Sequence, residues 1–161
     1  MNESPLSKSA QTVQQALNQK GLEFTVIELS ESTRTAQDAA TALKCTVAQI
    51  VKSLIFKTKD THQPILVLAS GPNRVNEKII SDHVQEKIEK ADAAFVRDVT
   101  GFAIGGVPPV GHKTTLKTYI DEDLLAFQEV WAAAGTPNAV FRLDPSALVP
   151  LTNGEVISVK E

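Results

Sequence analysis

The chain predicts a mixed α/β domain, and three observations carry that reading. Residues 5–20 repeat apolar side chains at helical spacing, with Leu6, Ala10, Val13 and Leu17 on one face and Gly21 as the stop. Several short apolar runs, among them 50–57, 65–69, 117–120, 139–143 and 156–159, have the length of strands rather than helices. Asp60-Thr61-His62-Gln63-Pro64 separates two of these runs closely, so a hairpin is expected instead of strict βαβ alternation. Hairpins mixed with helices imply a sheet of mixed direction.

In chain order, Phe24 to Leu29 is a short strand and Ser32-Thr33-Arg34-Thr35 a polar loop. Thr35 caps a helix reaching about Leu43, with Asp38 in its first turn favouring the helix dipole. A short turn from Thr46 leads into the run Ile50-Val51-Lys52-Ser53-Leu54-Ile55-Phe56-Lys57. As a strand, this run puts Ser53, Ile55 and Lys57 on one face, read as the wetter one. Lys52, Leu54 and Phe56 fall on the other, toward a core or cavity. Ile65 to Ala69 is apolar on both faces, as a central strand is. Residues 76–83 and 95–100 are helical, and 86–91 a surface segment. Residues 117–120 form a strand, and Asp121-Glu122-Asp123 opens a short helix at its favourable acidic end. Trp131-Ala132-Ala133-Ala134-Gly135 reads as a helical turn with a glycine stop. Residues 139–143 and 156–159 are strands around a helical turn at 145–149.

At 161 residues one domain, 1–161, is expected, with enough chain for a proper core. Hydrophobic content of 42% and charged content of 22% are those of a soluble globular protein. No apolar run approaches the roughly 18–20 residues of a bilayer span, and the polar N-terminus lacks a signal-peptide core. A cytoplasmic location is the expectation. A single cysteine, Cys45, excludes an internal disulfide and a cysteine-cluster metal site. It stands at a helix end, where packing is the natural role. His62 and His83 share no metal-ligand spacing, so neither a metal nor another cofactor is expected. The net charge of −3 argues against a general nucleic-acid binder. A local cationic patch remains open, because Lys52, Lys57, Lys59, Arg74 and Lys78 cluster in sequence.

Two features suggest chemistry. Gly105-Gly106-Val107-Pro108-Pro109-Val110-Gly111-His112 holds three glycines and two prolines in eight residues. It must form a rigid loop, either a plain structural turn or one whose backbone amides serve an oxyanion or a phosphate. The second is Lys52 on the inward face of its strand, which needs a partner, a pocket or a route to water.

The order of these features is informative. Lys52 heads an apolar strand, and Ser70-Gly71-Pro72-Asn73-Arg74-Val75-Asn76 follows a second strand. Thr100-Gly101-Phe102-Ala103-Ile104 and the glycine-proline loop come next. The chain thereby resembles the YbaK/EbsC family of aminoacyl-tRNA deacylases, related to the editing domain inserted in bacterial prolyl-tRNA synthetases, over about residues 8 to 159. The resemblance implies a curved, barrel-like mixed sheet surrounded by helices, with one active-site pocket. It matches Lys52 to the family's essential lysine and Gly105 to Pro109 to its Gly-x-x-x-Pro element. Thr35 lies where relatives place pocket residues, ahead of Asp38-Ala39-Ala40.

The implied activity is hydrolysis of mischarged tRNA in trans. The implied partners are the acceptor end of aminoacyl-tRNA, tRNA(Pro) foremost, and prolyl-tRNA synthetase. Gly105, Gly106, Val107 and Pro109 join Lys52 as candidate catalytic residues. Thr35, Ser70, Asn73, Arg74, Pro108, Gly111 and His112 are candidates for substrate binding, although the favoured role of His112 is structural, bonding a loop carbonyl. No Ser-His-Asp arrangement is evident, which agrees with attack by water, helped by the substrate's ribose hydroxyl. Many relatives carry Ser or Thr where this chain has Pro108. That change weakens any transfer of cysteine specificity and favours a small side chain such as alanine, serine or threonine. The alternatives are a non-catalytic module of the same fold that binds aminoacyl-tRNA or a synthetase, and a hydrolase of small esters or amides.

Overall fold

The computed structural model describes residues 6–160. Pro5, which the sequence reading places at the start of the first helix, lies outside them. Helix α1 spans Lys8–Gln19, and Ser7 caps it by accepting from the Ala10 amide. Its Ala10, Val13 and Leu17 are fully buried, so the amphipathic stripe lies against the sheet. Strand β1 is Val26–Glu28, and helix α2 is Ala36–Leu43 with Thr35 as its cap. A 3-10 turn at Val47–Gln49 leads into β2, Ile50–Thr58, which the hairpin joins to β3, Pro64–Ser70. Helix α3 (Glu77–Val84), β4 (Ile88–Lys90) and helix α4 (Ala93–Thr100) follow. Strand β5 (Lys117–Asp121) runs into a 3-10 turn at Glu122–Ala126. Strands β6 (Val130–Ala133) and β7 (Ala139–Leu143), a 3-10 turn at Pro145–Ala147, helix α5 (Leu148–Thr152) and β8 (Glu155–Ile157) complete the order.

All eight strands form one mixed sheet in the order β1-β7-β6-β2-β3-β5-β8, with β4 paired to β2. Strands β1 and β8 end this path without pairing to each other, so the sheet is not a closed barrel. Strand β3 shows why both faces are covered. Its Leu66 and Leu68 enter the main core with α1, while Ile65, Val67 and Ala69 enter a second core with Ile80 of α3. Burying each such leucine or isoleucine contributes about 1.5–3 kcal/mol.

Three local expectations are corrected. The Ser53, Ile55 and Lys57 face of β2 is not a wet face, because Val51 and Ile55 belong to the main core and Phe56 to the second. Lys57 is instead held by Glu89 at 3.5 Å and lies over the Phe95 ring. Residues 86–91 are not merely surface: Ile88–Lys90 is a strand, anchored by the buried Ile88 and paired to β2. Residues 131–135 are not helical. The run Val130–Ala133 pairs with both β2 and β7, and this pairing overrides alanine's helix preference. Gly135, at φ +101°, turns the chain beyond it, where a Cβ would meet the Ser9 carbonyl oxygen at 2.7 Å.

Candidate active site

Strand β2 changes partners along its length. Ile50 and Val51 pair in parallel with β6, and Phe56 to Thr58 pair antiparallel with β4. From Lys52 to Leu54 only the β3 side is paired, and the Ala91 amide rejoins the other side at the Ile55 carbonyl, so the sheet has a gap between. Two cavities of about 400 and 380 Å³ meet at this gap. Both are walled by Lys52, Ser53 and Leu54 of β2 and by Ile104, Gly105 and Val107 of the glycine-proline loop. The first lobe adds small and apolar residues, including Ala36, Ala39 and Ala132, with Thr33, Arg34 and Thr35 beside them. The second adds Phe56 and Val75 and the charged Arg74, Glu77 and Lys90.

Lys52 is half-buried, and its Nζ donates to the Asn73 carbonyl at 2.8 Å. That carbonyl is held by a network beneath it. The Asn73 side-chain amide donates to Asp121 at 2.7 Å and to Asp123 at 2.8 Å. Asp121, 1% exposed, also accepts the Ser70 and Asp123 amides, and Lys160 pairs with Asp123 at 2.9 Å. Desolvation lowers the Lys52 pKa, and the Asp121 carboxylate opposes that shift.

The loop divides its tasks. Gly105 and Val107 line both lobes, and their amides have no hydrogen-bond partner among the described residues. Gly105 has φ +95°, and the Arg34 stem packs so closely that a Cβ would lie 2.8 Å from Arg34 Cγ. Gly106 is structural by contrast. Its amide donates to Ala103, its carbonyl accepts from Gly135, and a Cβ would meet the Thr136 backbone at 2.9 Å. Pro108 and Pro109 are buried behind the wall. His112 Nε2 lies 2.6 Å from the Pro108 carbonyl, and burial pushes its pKa down, so the neutral ring clasps the loop. Gly111, at φ +86°, packs on Ala16 of α1.

The structure therefore gathers Lys52, Gly105, Val107, Thr35 and Arg74 around one cleft. Thr35 also accepts from the Asp38 amide at 3.0 Å, so its cap role is present as well. Ser70, Asn73, Gly106, Pro108, Pro109, Gly111 and His112 do not line either lobe. Ser70 is occupied by Asp121 and by the Ala48 carbonyl, and Asn73 supports Lys52 from behind. Sequence reasoning missed Arg34, Ser53 and Asp121. The polar run around Arg34 and the period-two place of Ser53 beside Lys52 were the available signals. Asp121 read only as a helix start. Cys45 is half-buried against the α2 cluster, and burial raises its thiol pKa. Among the described residues no group of His, Cys, Asp and Glu is placed to hold a metal ion. No helix among them is long and apolar enough to cross a membrane.

The mixed open sheet flanked by helices matches the fold of an editing domain. The chain belongs to the aminoacyl-tRNA editing domain family, whose model matches residues 30–151. A solved structure described as a "putative trans-editing enzyme for prolyl tRNA synthetase" is 49% identical with a TM-score of 0.92, covering 98% of this chain and 99% of the other. The Enterococcus faecalis protein named "Putative Cys-tRNA(Pro)/Cys-tRNA(Cys) deacylase EbsC" is 25% identical over 81% of this chain and 79% of its own length. A proline--tRNA ligase of a Thermoanaerobacter species is 31% identical over 94 residues, 56% of this chain and 16% of the ligase.

Proposed function

We propose that the protein is a trans-acting deacylase of mischarged tRNA, acting on tRNA(Pro) that carries a small non-cognate amino acid. The observation that supports this best is that Lys52 and the unpaired amides of Gly105 and Val107 belong to facing walls of one two-lobed cleft. The first lobe, lined by Ala36, Ala39 and Ala132, takes the amino-acid side chain. The second, with Arg74 and Lys90 at its edge, takes the terminal ribose and phosphate.

The reaction is attack of water on the ester carbonyl carbon. The bond to the ribose oxygen then breaks, releasing the amino acid and the free terminal hydroxyl. The carbonyl oxygen gains negative charge in the transition state, and the loop amides stabilise it without reorganising. Lys52, held by Asn73, adds positive charge beside the reacting ester or its phosphate. Because the ester is already activated, positioning and this electrostatic help suffice. The experiment is deacylation of tRNA(Pro) charged in turn with alanine, serine, threonine, cysteine and proline, with wild type beside Lys52→Ala. Lysine-dependent release of a non-cognate residue with proline spared is expected. Binding of charged tRNA without any release identifies a binding module instead.

A further inference from the structure

We infer that the unpaired edge of β2 at Ser53 is a subsite for the α-amino group of the substrate; this rests on the deacylase reading above. In a strand, the N–H and C=O of one residue point to the same edge, and successive residues alternate. Ile55 faces the β4 side, because its carbonyl accepts from the Ala91 amide at 3.2 Å. Ser53 therefore faces the same side, where pairing with β6 has ended at Val51 and pairing with β4 has not begun. Its peptide carbonyl thus points into the gap where the two lobes meet. The same residue supplies a second, independent observation. Ser53 Oγ is buried with no hydrogen-bond partner, the one such side-chain atom among the described residues. An unpartnered buried hydroxyl is costly unless something completes it.

An aminoacyl ester presents a group of suitable chemistry. Its α-ammonium carries three N–H donors and needs acceptors, while Lys52, Arg34 and Arg74 around the cleft repel it. The first lobe has no acidic side chain in its wall, so the acceptors there are carbonyl and hydroxyl oxygens. Ser53 offers its carbonyl at the junction of the lobes, and its unpartnered hydroxyl belongs to the same residue. A carbonyl exposed at a sheet edge recognises any α-amino acid while leaving side-chain choice to the adjoining lobe. This separates an aminoacyl-ester hydrolase from a general esterase.

The test compares tRNA(Pro) bearing the amino acid that the charging series identifies with tRNA(Pro) bearing its deamino analogue, propionyl for alanyl. Each enzymatic rate is divided by the hydrolysis rate in buffer, which removes the intrinsic activation of the ester by the ammonium. Wild type should show a rate enhancement about 10- to 100-fold smaller on the deamino ester, the worth of a hydrogen bond to a charged group. Ser53→Pro puts a ring into the gap and removes an N–H that neither neighbouring strand uses, so the sheet should tolerate it. It should lower the aminoacyl enhancement to the level of the deamino ester, because the ring keeps the ammonium away from the carbonyl that proline retains. Equal enhancement on both esters by wild type overturns the subsite, and that comparison decides the matter even if the proline variant fails to fold. A folded Ser53→Pro protein that still discriminates between the esters also overturns it. Release of neither ester, nor of any amino acid in the charging series, overturns the deacylase reading itself and the subsite with it.

Discussion

At the scale of the residue, Lys52 and Gly105 are the two positions where small changes should have large effects. Lys52→Ala removes the cation and its bond to the Asn73 carbonyl but touches neither hydrophobic core. Deacylation should fall about 100-fold or more, with the thermal unfolding midpoint nearly unchanged. Normal activity in a folded Lys52→Ala protein would remove the lysine from the mechanism. The pH dependence has a definite sign. Desolvation depresses the Lys52 pKa below the free value of 10.5. If the protonated form is the active one, the rate above background should decline as pH rises through a value lower than that. Gly105→Val adds a branched side chain at φ +95° against Arg34. The strain is about 1–2 kcal/mol, and the new side chain narrows both lobes. A kcat/KM equal to wild type in this variant would dissociate the loop from catalysis.

At the scale of the element, two supports position the site without touching it. The Asp121 carboxylate at the end of β5 ties the Ser70 amide and the Asn73 side chain to each other. Asp121→Ala leaves those two donors without their acceptor. Chemical denaturation should show a loss of about 2–4 kcal/mol, and deacylation should weaken as Asn73 loosens its hold on Lys52. The second support is the His112 clasp on the Pro108 carbonyl. Burial depresses the His112 pKa below its ordinary 6.5, so protons bind the unfolded chain more readily than the fold. Stability from this group is therefore complete above the unfolded value and is lost as pH falls through it toward the lower folded value. The unfolding midpoint should drop as pH falls below about 6.5. His112→Gln, which can still donate to Pro108, should flatten that part of the profile. An unchanged slope would assign the acid sensitivity elsewhere.

At the scale of the whole molecule, the proposed deacylase reading requires a net charge of −3 to coexist with a polyanionic substrate. Arg34, Lys52, Arg74 and Lys90 line the cleft with Glu77, whereas Lys57, Lys59 and Lys78 do not. This arrangement suits a grip confined to the acceptor end. Only a few phosphates would be neutralised, so KM should rise weakly with salt, with a logarithmic slope of about 1–3. A slope near that of a general nucleic-acid binder would demand a far larger contact surface. Arg34→Ala and Arg74→Ala should each raise KM more than they lower kcat.

Much of this protein is legible locally. The α1 stripe, the Thr35 cap, the β2–β3 hairpin and the buried centre of β3 follow from periodicity and capping, which involve only near neighbours in the chain. The inward face of Lys52 and the rigidity of the glycine-proline loop were each legible too, because side-chain alternation and glycine-proline chemistry are local properties; that the two belong together was implied only by the family resemblance. Tertiary structure decided the rest. Residues 130–133 are strand rather than helix because β2 and β7 flank them, a fact no alanine run contains. The Ser53, Ile55 and Lys57 face of β2 lost its water because the main core covers it. Only the meeting of β6 and β4 along one strand opens the gap at Ser53, and only the network from Asp121 sets the place of Lys52. Propensity and periodicity act within a few residues, whereas these features depend on which distant segments share a sheet edge and on what those edges leave unpaired.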